Sequence, residues 1–422
     1  MKKHSKYYPW FIVGGSVVTA GVAMSCALTL ASLFVVPITQ DFGIGRAEYA
    51  INTSIVSICG CIAQFTVGKL YTNHKIKGIQ SGALALLGII FILRSLTQNI
   101  VQQYICSFVA GFLTAPVMVG NSTMVTRWFQ KKRGIAISIV FAGQSLIGAL
   151  MSPIISNIIS ASGTGWRQAY LVMGFLVLIV ALPIALFVMK ERPSDIGMEP
   201  YGAEAASPTP DVKKAPPSTA ADYSISEALH KPFFYLFFLA GICAGLFSAN
   251  GAMSQIVPYL TDVYSAEMAA TYISAGSIVA IGTKLFFGWI NDKFGARVST
   301  AIGYAGSALL FLCLLFAGNT LMFWLIVIFY SFATSVGTVS LTLLTSETFG
   351  VKNFSLFYGT LQSITFVGGA IGGYLTAIVF DYTNSYSPTW TACVVLSLLA
   401  MVLYYTAGKL SQRDRLSTQR SV

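Results

Sequence analysis

Twelve apolar runs, each close to the roughly 20 residues that a helix needs to cross a ~30 Å hydrocarbon layer, constrain this chain more than any other feature. They lie near 10–36, 48–68, 80–98, 102–125, 134–158, 167–189, 232–257, 268–290, 298–317, 321–345, 354–379 and 388–408. The composition agrees: 55% of the 422 residues are hydrophobic, only 10% are charged, and the mean hydropathy is +0.71. A soluble domain of this length does not carry so few charges. The run after "MKKHSKYYP" is too long for a secretory leader and has no small-residue cleavage site, so it reads as a retained helix.

Charge placement tests the count. With the N-terminus cytoplasmic, Arg46 and Arg167 alone fall in outer loops, and Arg94 and Lys284 fall within spans. Every other Lys and Arg is then cytoplasmic, which is the positive-inside pattern and places both termini inside, in the plasma membrane. The net charge of +11 thus reports orientation and gives no argument for a nucleic-acid partner. The seven cysteines sit singly in apolar spans and the three histidines lie at ends or in loops. Neither a disulfide framework nor a metal set is suggested, and no cofactor is expected.

Residues 190–228 are rich in Pro, Ala and Ser, the composition of a flexible linker. The expected organisation is an N-terminal six-helix bundle over 1–189, a cytoplasmic linker over 190–229, a second six-helix bundle over 230–410 and a tail over 411–422. The halves echo one another: "GKLYTNHKIKG" follows the second span and "GWINDKFGAR" the eighth, with Gly68 and Gly288 lying 220 residues apart. Phe129 and Phe349 share that offset. The fold class is therefore an all-α membrane protein of twelve transmembrane helices in two pseudo-symmetric six-helix bundles, the pattern of a two-bundle secondary transporter.

The turn Gly288-Trp289-Ile290-Asn291-Asp292-Lys293-Phe294-Gly295-Ala296-Arg297 matches G-x-x-x-D-[RK]-x-G-x-[RK] in full. Over its whole length the chain resembles a major facilitator superfamily transporter, whose signature this is. Gly288, Asp292, Lys293, Gly295 and Arg297 are accordingly candidates for a conformational latch, with Asp292 suited to cap a neighbouring helix. The first-half copy has decayed, with Thr72 in place of the acid and Lys75 in place of the glycine. Within the superfamily, "RWFQKKRGIAISIVFAGQSLIG", "GWRQAYLVMGFLVLIVALP" and "KERPSDIGMEP" resemble the oxalate/formate antiporters and the monocarboxylate transporters.

Lys284 lies eight residues before Asp292, hence about 12 Å from the inner turn and close to the bilayer midplane. A charge there costs at least ~2.5 to 3.5 kcal/mol on insertion scales. No Asp or Glu falls near mid-depth; Glu48, Glu267, Glu347 and Asp381 are at span ends. Arg94, four residues from the outer end of its span, is expected to snorkel. Either the Lys284 amine sheds its proton, or a bound carboxylate supplies the counter-charge. The family resemblance implies the second, because an arginine at this place binds the substrate carboxylate in those relatives. A lysine here replaces a bidentate fork by a point charge.

The same resemblance puts Leu361 where the antiporter has a second cation, and Ala280 where the monocarboxylate transporters have a coupling acid. It thus implies a small organic monoanion of the pyruvate, lactate or formate class as the substrate. Anion exchange, facilitated diffusion and proton coupling through Lys284 itself remain open. Further candidates for the substrate path are Gln144, Gln362, Asn250 and Gln255 as polar groups, and Tyr358 and Phe34, which align with aromatics of the antiporter's substrate box. The glycines of "VGGAIGGYL" (367–375) form overlapping small-xxx-small pairs suited to close helix packing. An enzyme is not expected, since no nucleophile–base pair or metal set is visible at membrane depth. Alternative readings are a carrier of a larger amphipathic carboxylate such as a bile salt, or a non-transporting anion receptor. The expected partners are the small anion, the lipid bilayer and a proton as a possible coupling ion, with the chain acting as a monomer.

Overall fold

A computed structural model describes residues 7–203, 223–264 and 266–420. The N-terminal basic run 1–6, the middle of the expected linker (204–222) and the last two residues of the tail lie outside the described residues, as do the side chains of Arg46, Glu267 and Asp381. No strand occurs among the described residues, only one isolated bridge between Phe129 and Tyr201.

The first six passes are helical. α1 (Tyr8–Met24) runs through a π turn (Ser25–Thr29) and a 3-10 turn (Ala31–Phe34) into α2 (Val35–Phe42). Then come α3 (Arg46–Asn73), α4 (Ile76–Ser95), α5 (Ile100–Trp128) and α6 (Arg133–Ser160). α7 (Gly165–Leu176) continues through π turns at Val177–Ala181 and Ile184–Val188. The short α8 (Ile225–Leu229) opens the second six passes. α9 (Pro232–Leu246), a 3-10 turn (Ala252–Gln255) and α10 (Ile256–Val263) form the seventh. α11 (Ala266–Phe294) and α12 (Ala296–Leu315) follow. α13 (Thr320–Ser335) leads by a π turn (Val336–Ser340) to α14 (Leu341–Phe349), and α15 (Phe354–Thr383) and α16 (Ser387–Arg420) complete the set. The result is the twelve-helix, two-bundle fold. Among the described residues ten helices are long and apolar enough to cross a bilayer. The other two passes are the broken seventh and α11, which carries Lys284 and the charged turn.

The first and seventh spans, expected as continuous helices over 10–36 and 232–257, are interrupted instead. The interruptions fall at residues 25–34 and 247–255, 221 to 222 residues apart and so close to the 220-residue offset of the inner turns. Non-helical backbone at membrane depth is tolerated where protein or a cavity covers it, and the glycines of "VGGAIGGYL" supply that cover for the seventh. A Cβ on Gly372 would collide with the Leu246 carbonyl, one on Gly368 would lie 2.9 Å from Gly245 Cα, and one on Gly369 3.0 Å from Ser248 Oγ. The small residues of α15 thus pack backbone against backbone on the broken helix.

The chain forms two compact units, Met1–Val125 with Ile139–Glu191, and Thr126–Ser138 with Arg192–Val422. The core of the first contains Phe34, Phe91, Trp166 and Tyr170, with Phe34 stacked on Tyr170 at 4.1 Å between centroids. In the second, Phe237, Tyr304 and Tyr404 pack ring on ring. The described ends of the expected linker are ordered. Tyr201 N donates to Trp128 O, and Tyr201 O accepts from the amides of Gln130 and Lys131. Ser224 and Glu227 form a capping box on α8. Asp414, in the part of α16 expected as a separate tail, accepts from Lys231 Nζ (2.6 Å) and Tyr223 Oη (2.8 Å).

Candidate functional site

The turn after α11 is built on one glycine and one acid. Gly295 has φ +86° and ψ 161°, a region that is essentially glycine-only, and it lets the chain reverse directly into α12. Asp292 Oδ1 accepts from Gly134 N (2.7 Å) and Oδ2 from Ile135 N (2.9 Å), so one carboxylate caps the first turn of α6. Both bonds are charge-assisted and meet the positive end of the helix dipole. The approach is close because Gly134 and Gly288 lack side chains: a Cβ on Gly134 would strike Gly288 O, and one on Gly288 would strike Ser138 Oγ. Arg133 donates from Nε to Phe129 O (2.8 Å), and Glu347 accepts from Ala296 N (3.1 Å) at the start of α12. Lys293 Nζ lies over the rings of Trp289 (5.0 Å) and Phe294 (5.3 Å). In the decayed first-half turn, Thr72 Oγ1 donates to Lys69 O of its own helix, and Glu191 accepts from Ile76 N instead.

Lys284 sits inside α11 and is 8% exposed. It lies one turn before Gly288 and two before Asn291, on the same face of the helix. Its neighbour Thr283 shares a hydrogen bond with Ser331 Oγ of α13 (2.8 Å). Tyr358 and Gln362 are one turn apart on α15, both buried, with Gln362 Nε2 donating to Tyr358 Oη (3.0 Å). Tyr358 also stacks on Phe354 (5.2 Å). Asn250 is exposed at the break in the seventh pass, and Gln255 ends the 3-10 turn that follows. These residues belong to the second unit. Gln144 and Phe34 belong to the first, where Gln144 is half-buried and Phe34 is fully enclosed against Tyr170.

Arg94 corrects the expectation that it snorkels. It is 8% exposed and points into the first unit, donating from Nη2 to Ser107 Oγ (2.6 Å), with its guanidinium 5.7 Å from the Tyr170 ring centroid. The physical reason is its place in the last turn of α4, where its own helix's carbonyl end favours a cation by ~0.3 to 2 kcal/mol. The charged hydrogen bond adds ~1.5 to 3 kcal/mol and the ring ~0.5 to 2. Together these approach the several kcal/mol that burying a cation costs. An outer-end position alone, which is all the sequence shows, does not reveal Ser107 or Tyr170 waiting on other helices.

Known proteins place the chain. The Major Facilitator Superfamily profile matches residues 16–283 and 247–420. YcxA of Bacillus subtilis, an uncharacterized MFS-type transporter, is 24% identical over 409 residues, covering 93% of this chain and 94% of its own. The oxalate:formate antiporter of Oxalobacter formigenes is 24% identical over 395 residues, covering 90% and 87%. Monocarboxylate transporter 12 of Xenopus laevis is 24% identical over 418 residues, covering 92% and 87%. The crystal structure of the MFS transporter FucP in its outward conformation superposes with a TM-score of 0.72 at 16% identity, covering 96% of this chain and 99% of FucP. With the signature turn, the twelve-helix fold and a profile matched across nearly the whole length, the chain belongs to the Major Facilitator Superfamily.

Proposed function

We propose that this protein is a secondary active transporter of small organic monocarboxylate anions, of the pyruvate, lactate or formate class, working by alternating access in the plasma membrane with both termini in the cytoplasm. The observation that carries the reading is Lys284, a cation enclosed at mid-depth on α11 about 12 Å from the signature turn. A buried ionisable residue within a span is a functional site by default, and a monoanion matches its single charge. The names of the oxalate:formate antiporter and monocarboxylate transporter 12 support the same class. Tyr358 and Gln362 are the companions on α15, and Gln144 and Asn250 are further polar contacts. The larger amphipathic carboxylate has less support, because Phe354 and Phe357 are buried against other rings instead of lining an open surface. Asp292, with Gly288, Lys293, Gly295 and Arg297, forms the latch that α6 engages and releases during the cycle. The reading entails no enzymatic step and no cofactor.

The test is exchange of labelled pyruvate, lactate and formate by the purified protein in liposomes, with and without a pH gradient. Lys284→Ala is expected to abolish exchange and Lys284→Arg to retain part of it. Full exchange by the alanine variant removes Lys284 from the site, and dependence on the gradient separates proton coupling from exchange or facilitated diffusion.

A further inference from the structure

The interior of the first unit holds a polar cluster that the transport reading does not use. Arg94 on α4, Asn52 on α3 and Ser107 on α5 are 8%, 7% and 0% exposed, and they form a chain of donors. Arg94 Nη2 donates to Ser107 Oγ (2.6 Å), and Ser107 Oγ donates to Asn52 Oδ1 (2.7 Å). In this arrangement Asn52 turns its Oδ1 to Ser107 and keeps its Nδ2 free of that bond. Tyr170 supplies a ring beside the guanidinium, and Tyr49, 6% exposed, lies against Tyr170.

The chain ends in surplus donors. Arg94 Nε and Asn52 Nδ2 are both buried with no hydrogen-bond partner among the described residues, and no described carboxylate pairs with Arg94. Buried donors are costly to leave unmade. Here both orphans are donors and the cluster carries a full positive charge. What it lacks is an acceptor with negative charge. A water molecule satisfies the donors and leaves the charge; a small anion does both.

We propose that Arg94, Asn52 and Ser107 bind a small monovalent anion, of chloride or formate size, within the first unit. It is a site separate from Lys284, which belongs to the second unit. The anion accepts from Arg94 Nε and Asn52 Nδ2 and neutralises the guanidinium.

The experiment is thermal unfolding of the purified full-length protein carrying Lys284→Ala, so that the fate of the transport reading does not enter. Sodium chloride and sodium formate are each titrated against sodium gluconate at constant ionic strength. A saturable stabilisation is expected with one or both small anions, amounting to about 11-fold in the folded-to-unfolded ratio at ten times the dissociation constant. Saturation by chloride alone assigns a halide site, and saturation by formate at lower concentration assigns a carboxylate site. Adding Asn52→Asp places the counter-charge in the protein itself; that variant is expected to be stable without added anion and to have lost the response. Arg94→Gln, which removes the charge, is expected to lose the response as well. No saturable response in the parent, or the same response in a folded Asn52→Asp variant, overturns the proposal.

Discussion

Two residues of the signature turn act by different physics, and substitution separates them. Asp292→Asn keeps the shape but removes the charge facing the α6 N-terminus, leaving one acceptor oxygen for two amides. A loss of ~1 to 2 kcal/mol is expected, read as a lower unfolding temperature. Gly295→Ala acts through the backbone alone, since φ +86° with ψ 161° is closed to a side chain; it is expected to cost ~1 to 3 kcal/mol without touching any hydrogen bond of Asp292. The acid and the glycine were legible from their spacing, because a helix end followed by a reversal leaves few residue choices. Which helix receives the carboxylate was not legible, because that depends on a glycine at 134 far away in the chain. Lys284 was legible as an enclosed cation. Arg94 was not, because an outer-end arginine and a buried one read alike until Ser107 and Tyr170 are in place.

Among the elements, the seventh pass and α15 form one packing unit whose precision lies in the absence of side chains. Gly372→Ala drives a Cβ into the Leu246 carbonyl, and since neither backbone has room to yield, a penalty at or above the ~1 to 3 kcal/mol of ordinary overpacking is expected. Gly282→Ala on α11 is the matching control: nothing lies within 4 Å of its would-be Cβ, so the better helix propensity of alanine is expected to leave stability unchanged or raise it by up to ~1 kcal/mol. Unfolding temperatures of the two variants check both. The small-residue spacing in "VGGAIGGYL" pointed to close packing from the sequence. The break it packs against did not show, because "LFSANGAMSQ" is still apolar enough to pass as continuous helix and only the loss of i to i+4 bonds at 247–251 reveals it.

At the scale of the molecule, the internal repeat made the twelve-helix architecture readable: an offset of 220 residues relates the inner turns, and one of 221 to 222 the two interrupted passes. The second compact unit is not contiguous in sequence: residues 126–138 belong with it. A fragment beginning at residue 223 therefore lacks the amides that Asp292 caps and the Arg133 guanidinium that donates to Ser346 Oγ. Expressed alone it is expected to be less resistant to protease than when co-expressed with residues 1–203, and equal resistance in the two cases would show that the cap contributes little.

Arg94 also bears on how the protein is made. Only Leu96 to Asn99 separate α4 from α5, so when α4 reaches the translocon with its guanidinium, Ser107 emerges just 13 residues later. Asn52 is already in the membrane on α3. An arginine is a poor passenger for a lone helix, and its nearest relief is the hydroxyl on the helix being synthesised behind it. Insertion of α4 and α5 as a hairpin, not one after the other, follows from where that single side chain points.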